Sequence, residues 1–164
     1  MSRVVLGLGS NQGDSLWILE HAIRDLSGVL SDMRISSLYS TTPQDYSDQD
    51  DFYNMVVSGL CSLSPRELLF QCQSIESKYG RDRSCEIPSG PRSLDIDIEL
   101  FDSCIIREEG LIIPHERMYQ RQFVLIPLLE IESESADPVS GHPFTFFLEQ
   151  LPDQGIHKVG THGN

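Results

Sequence analysis

Apolar and polar positions along the first hundred residues divide the chain into six elements. Arg3 to Leu8 is a short apolar run bounded by glycine and predicts a buried strand. Gly7-Leu8-Gly9-Ser10-Asn11-Gln12-Gly13-Asp14 then turns the chain into a segment where Leu16, Leu19, Ile23, Leu26 and Leu30 recur near the helical period. Ile35, Ser37 and Tyr39 alternate with Arg34, Ser36 and Leu38, predicting a second strand that ends in a polar loop from Ser40 to Asp51. From Phe52 to Leu60 a period of two puts Phe52, Asn54, Val56 and Ser58 on one face and Tyr53, Met55 and Val57 on the other. Ser64-Pro65-Arg66-Glu67 combines an N-cap serine, proline at the first helical position and glutamate three residues after the cap. The helix it starts is expected to reach Gly80, with Leu68, Leu69, Cys72, Ile75 and Tyr79 inward and Gln73 and Glu76 together on a polar flank. Arg81 to Arg92 is too rich in proline, glycine and charge for regular structure, and a fourth strand follows from Leu94 to Phe101.

This order predicts an α+β protein: a ferredoxin-like βαββαβ antiparallel sheet with both helices packed on one face. Beyond Phe101 lies a C-terminal extension with Pro114, Pro127, Pro138 and Pro143, whose apolar stretches Phe123–Ile131 and Phe144–Leu151 are expected to pack on the core. Residues 1–164 read as one domain, with 160–164 expected to form a mobile tail.

Charge narrows the partners. Twelve Lys and Arg against 25 Asp and Glu give a formal charge of −13, a field that disfavours nucleic acid and anionic membrane surfaces. Cys61, Cys72, Cys85 and Cys104 form no Cys-x-x-Cys pair, which argues against a zinc site or a disulfide framework. The opening Met-Ser-Arg-Val-Val-Leu-Gly meets glycine before it makes a signal-like apolar core, so a cytoplasmic protein is expected. Lys78, Arg81, Arg83, Arg92, Arg107, Arg117 and Arg121 concentrate positive charge in one stretch of this acidic chain. An anion site and plain neutralisation of neighbouring carboxylates both account for that stretch.

Leu94-Asp95-Ile96-Asp97-Ile98-Glu99-Leu100 alternates throughout, which predicts Leu94, Ile96, Ile98 and Leu100 on the core and Asp95, Asp97 and Glu99 on the opposite face. A solvated outer face is one explanation. A divalent cation held by Asp95 and Asp97 is another, because Mg²⁺ takes one or two carboxylates and fills its octahedron with phosphate oxygens and water. Arg92 just upstream, with Arg81 and Arg83 opening the same loop, allows phosphate and metal ligands to converge. Neither a Gly-x-x-x-x-Gly-Lys-Ser/Thr loop nor a protein-kinase signature is present. Gly7-x-Gly9 with Gly13 has Gln12 where a dinucleotide fingerprint needs its third glycine, so a tight turn is the better account.

Taken together, Gly-Leu-Gly-Ser-Asn-Gln-Gly-Asp at 7–14, Tyr39-x-Thr41-x-Pro43, Phe52-Tyr53-Asn54, Gln73-x-x-Glu76 with Gly80-Arg81-x-Arg83, Gly90-Pro91-Arg92-Ser93-Leu94-Asp95-Ile96-Asp97, and Pro114-His115 with Arg121-x-Phe123-Val124-Leu125 give a chain that resembles the 6-hydroxymethyl-7,8-dihydropterin pyrophosphokinases of folate biosynthesis. The resemblance implies transfer of pyrophosphate from ATP to the pterin's hydroxymethyl oxygen, with release of AMP. It implies that Asp95 and Asp97 hold two Mg²⁺ ions and that Arg81 and Arg92 act catalytically on the transferring phosphates. Gln73, Glu76, Arg83, Arg92, Ile98, His115 and Arg121 would bind ATP. Phe52 and Phe123 would sandwich the pterin, with Asn54, Thr41 and Thr42 at its polar edge. Other folate-pathway enzymes are admitted as partners. The loops 40–51 and 81–92 are expected to close over both substrates.

The chain departs from the family pattern at Ser89, where tryptophan is frequent, and at Gly110, where a cationic or polar group often stands. Arg107 and Arg117 are the candidates to replace that group. Two other readings fit parts of the pattern: a non-catalytic ferredoxin-like module that binds a metabolite, and another nucleotide-dependent transferase.

Overall fold

The computed structural model describes residues 1–41, 51–80 and 93–160. At its centre is β1 (Ser2–Ser10), antiparallel to β4 (Phe52–Cys61) on one side and β5 (Asp95–Phe101) on the other. The outer part of the sheet is β2 (Leu30–Ile35) and β3 (Leu38–Thr41), which pair with successive stretches of β4. Counting β2 and β3 as one interrupted strand, the sheet order is fourth, first, third, second, which is the ferredoxin-like arrangement. The predicted single strand breaks because Ser36 leaves the ladder. Its N–H donates to the Val56 carbonyl and its hydroxyl accepts from the Val56 N–H, each at 2.9 Å.

The helices α1 (Ser15–Leu26) and α2 (Pro65–Lys78) lie on one face. Asp14 caps α1 by accepting the Trp17 N–H, and Ser64 with Glu67 completes the predicted capping box on α2. The buried stripe of α1 is Ile18, Leu19, Ala22, Ile23 and Leu26; the expected Leu16 is 53% exposed, and Leu30 opens β2 instead of closing the helix. Val4, Leu6, Leu8, Met55, Val57, Ile96 and Ile98 pack beneath these two helices.

The opposite face carries the C-terminal extension, as its apolar stretches predict. Helices α3 (Gln122–Ile131) and α4 (Phe144–Leu148) cover Val5, Val56 and Leu100 with Val124, Leu125, Leu128 and Phe144. Leu100 therefore belongs to this second core and not with Leu94, Ile96 and Ile98. The register gives the reason: Val5 pairs with Leu100 but Leu6 with Ile98, so a bulge at Glu99 shifts the strand's phase. A hairpin of β6 (Ile106–Glu108) and β7 (Leu111–Ile113) turns through Gly110, and β8 (Ile156–Gly160) adds an unpredicted edge strand beside β3. Glu130 on α3 accepts the Ser37 N–H, the Ser37 hydroxyl and the Tyr39 hydroxyl, which ties α3 to β3.

Thr42, Arg81, Arg83, Ser89, Arg92, the expected loop closure and the tail after 160 lie outside the described residues.

Candidate active site

Face and register bring the site together. On the face that carries α3, Gly9 lies between Asn54 and Asp95, and Gly7 between Val56 and Asp97. Asn54 and Asp95 thus stand two strand spacings apart, roughly 10 Å. The glycines keep that surface flat: a Cβ on Gly9 would lie 3.1 Å from the Asn54 side-chain oxygen, and one on Gly7 only 2.6 Å from Glu99 Oε1. Both residues are in β1, so their value is close approach of neighbouring side chains and not the predicted turn. The turn glycine is Gly13, at φ +77°.

At the pterin end expected from the sequence, Asn54 is buried and donates its side-chain amide to the Thr41 hydroxyl at 3.1 Å. Phe52 shares this face by strand parity and is half-buried, as is Phe123 at the start of α3. The Arg121 guanidinium sits 5.2 Å from the Phe123 ring centroid, a cation–π contact, and the same guanidinium reaches towards Asp97.

At the charged end Asp95 and Asp97 are half-buried. His115 Nε2 and Arg121 Nη1 approach the same Asp97 Oδ2, at 3.9 and 4.0 Å. Burial first, and then the Arg121 charge, lowers the His115 pKa below its ordinary 6.5, so the imidazole is neutral at neutral pH. Its Nδ1 accepts the Arg117 N–H at 3.2 Å, which leaves the proton on Nε2, the nitrogen that faces Asp97.

Two expectations change here. Glu99 does not project into solvent: it is 1% exposed, its Oε2 has no hydrogen-bond partner among the described residues, and burial together with Asp97 drives its pKa well above 4.5. Glu76 does not share an exposed flank with Gln73. Gln73 is exposed, whereas Glu76 is 2% exposed and accepts the Ile96 N–H at 2.8 Å, satisfying a donor on the edge of the strand that bears Asp95 and Asp97. The Ile98 side chain packs in the core under α1 and α2, as the strand's alternation predicts, and away from the face of Asp97. Neither carboxylate's burial was readable from helical or strand period alone, since each depends on a partner strand or helix elsewhere in the chain.

A family model for 7,8-dihydro-6-hydroxymethylpterin-pyrophosphokinase (HPPK) matches residues 5–133. The chain belongs to the HPPK family. The 2-amino-4-hydroxy-6-hydroxymethyldihydropteridine pyrophosphokinase of Bacillus subtilis is 46% identical over 128 residues, 77% of this chain and 75% of that one. The folic acid synthesis protein fol1 of Pneumocystis carinii is 39% identical over 157 residues, 95% of this chain but 21% of its own length. The HPPK chain thus spans about a fifth of that curated relative. The crystal structure of wild-type Plasmodium falciparum HPPK-DHPS shares the HPPK fold with a TM-score of 0.71 at 16% identity, over 91% of this chain and 44% of that one. Among the described residues, no helix is long and apolar enough to cross a membrane.

Proposed function

We propose that this chain transfers pyrophosphate from ATP to the hydroxymethyl oxygen of 6-hydroxymethyl-7,8-dihydropterin, giving the dihydropterin diphosphate and AMP in tetrahydrofolate biosynthesis, and that residues 1–164 act as one catalytic domain. One observation carries the proposal: Asp95 and Asp97 share a sheet face with Asn54, Thr41 and Phe52, while His115 and Arg121 converge on Asp97.

The donors suit Mg²⁺. Asp95 and Asp97 offer hard oxygens from alternate positions of one rigid strand, and among the described residues no group of three metal-ligating side chains exists. A site with two protein carboxylates leaves the remaining positions to phosphates and water, which is how Mg²⁺ is commonly bound. Two ions are assigned to this pair. When bound, Mg²⁺ neutralises phosphate charge and acidifies the acceptor hydroxyl.

The chain's own groups bind and orient. Phe52 and Phe123 stack on the flat pterin, and Asn54 with Thr41 reads its amide and amino edge; Thr42 is assigned to the same edge. The neutral His115 donates its Nε2–H to a phosphate oxygen without adding charge, and Arg121 adds a fixed cation beside it. Arg81 and Arg92 are assigned to the transferring phosphates, and Gln73, Glu76, Arg83 and the Ile98 main chain to the rest of ATP. Holding the hydroxyl in line with the β-phosphorus and compensating charge account for most of catalysis in such transfers. Other folate-pathway enzymes are the proposed partners, and the cytoplasm the proposed location.

The test is AMP formation from ATP with and without the hydroxymethyl-dihydropterin. Pterin-dependent AMP is expected. Binding of Mg²⁺-ATP with no pterin-dependent AMP would instead identify a non-catalytic module.

A further inference from the structure

Resting on the reading of Asp95 and Asp97 as metal ligands, we propose that Glu99 is a positioning residue for the metal-binding end of β5 and that Gly7 is the notch that receives it. Across the bulge, Val5 pairs with Leu100 and Leu6 with Ile98, so Glu99 has no partner on β1. A residue in this position bends its strand and re-aims the side chains on either side. The neighbour on the same face is Asp97, and the strand beyond the bend carries Leu100 beneath α3.

The Glu99 side chain fills the space that Gly7 leaves open. A Cβ on Gly7 would come within 2.6 Å of Glu99 Oε1, and Gly7 is itself the β1 partner of Asp97. The main chain of Glu99 makes a second tie, accepting the His115 N–H at 3.0 Å. One residue therefore fixes both the bend behind Asp97 and the start of the segment that brings His115 and Arg121 to Asp97 Oδ2. The length and shape of this side chain carry the positioning, since among the described residues its buried Oε2 makes no hydrogen bond that would hold it in place.

Mn²⁺ titrated into the full chain, followed by its electron paramagnetic resonance signal, tests the assignment. Gly7→Ala is expected to weaken Mn²⁺ binding about 10- to 100-fold, the span typical of groups that orient metal ligands. Glu99→Gln, with the same shape, is expected to stay within about threefold of wild type, and Glu99→Ala to weaken binding at least about tenfold. Gly7→Ala combined with Glu99→Ala is expected to bind more tightly than Gly7→Ala alone, since the added methyl enters vacated space. Thermal unfolding of each variant separates folding from positioning. If Glu99→Ala stays folded and binds Mn²⁺ as wild type does, or if the double variant is no better than folded Gly7→Ala, Glu99 is packing only and the inference is overturned. If the wild type binds no Mn²⁺ that Asp97→Asn abolishes, the metal-site reading fails and the inference falls with it.

Discussion

The Glu76 carboxylate accepts the main-chain N–H of Ile96 at 2.8 Å, inside a helix–strand contact from which water is excluded. This bond closes the edge of β5 at the point where Asp95 and Asp97 leave the sheet. Glu76→Ala removes the acceptor and leaves a buried donor unpaired, which is expected to cost about 1–3 kcal/mol. Glu76→Gln keeps a side-chain oxygen in reach of Ile96 and is expected to cost less. Urea unfolding of the three proteins checks the order.

Asp97 is approached by His115 and Arg121 through one oxygen while its burial is only partial. Asp97→Asn preserves shape but removes the charge that both a divalent ion and Arg121 require. Turnover is expected to fall by about 10²-fold or more, the scale of losing one preorganised electrostatic group. Circular dichroism should be unchanged. A variant with near wild-type turnover would remove Asp97 from the proposed metal role.

The faces of β4 and β5 were legible because strand period is a local property, and the parity that joins Phe52 to Asn54, and Asp95 to Asp97, survives folding intact. The start of α2 was equally local, a capping box within four residues. The phase change at Glu99 was not, since a bulge is defined by the partner strand: nothing in the sequence from Leu94 to Leu100 marks it, and its counterpart is Gly7, ninety-odd positions earlier. The break at Ser36 likewise depends on Val56. The helical period through Leu30 continued past Ser27-Gly28, where the chain stops α1 and opens a strand. The strand β8 has one half-buried residue followed by four exposed ones, so it carries no alternation to read.

Phe52 and Phe123 come from different elements, the start of β4 and the start of α3, and both remain half-exposed; Phe52 shares its strand face with the buried Asn54. Their proposed partner is the pterin ring and not ATP. Phe123→Ala is therefore expected to raise the pterin KM about tenfold, on a stacking contribution of about 1–3 kcal/mol, with little change in the KM for ATP. Phe123→Tyr, which keeps the ring, should retain most of the affinity. Steady-state kinetics with each substrate varied in turn distinguishes this from a general loss of the α3 fold, which would move both constants.

Glu99 makes a further prediction through pH. Burial, reinforced by Asp97, raises its folded-state pKa well above the ordinary 4.5, so the folded protein holds the proton while the unfolded chain has released it. The folded state then binds more protons than the unfolded one between pH 4.5 and the raised value, and stability falls as pH climbs through that window. Each tenfold difference in acidity amounts to about 1.4 kcal/mol. Glu99→Gln cannot ionise, so it should match wild type near pH 4 and become the more stable protein as pH rises towards 8. His115 has the opposite sign: its lowered pKa makes the folded state resist protonation, and its contribution is complete above pH 6.5 and is lost as pH falls below that. Because His115 titrates alike in both proteins, subtracting the wild-type urea midpoint from that of Glu99→Gln at each pH isolates the glutamate. A difference that does not grow with pH would mean that Glu99 ionises in the folded chain as readily as in the unfolded one.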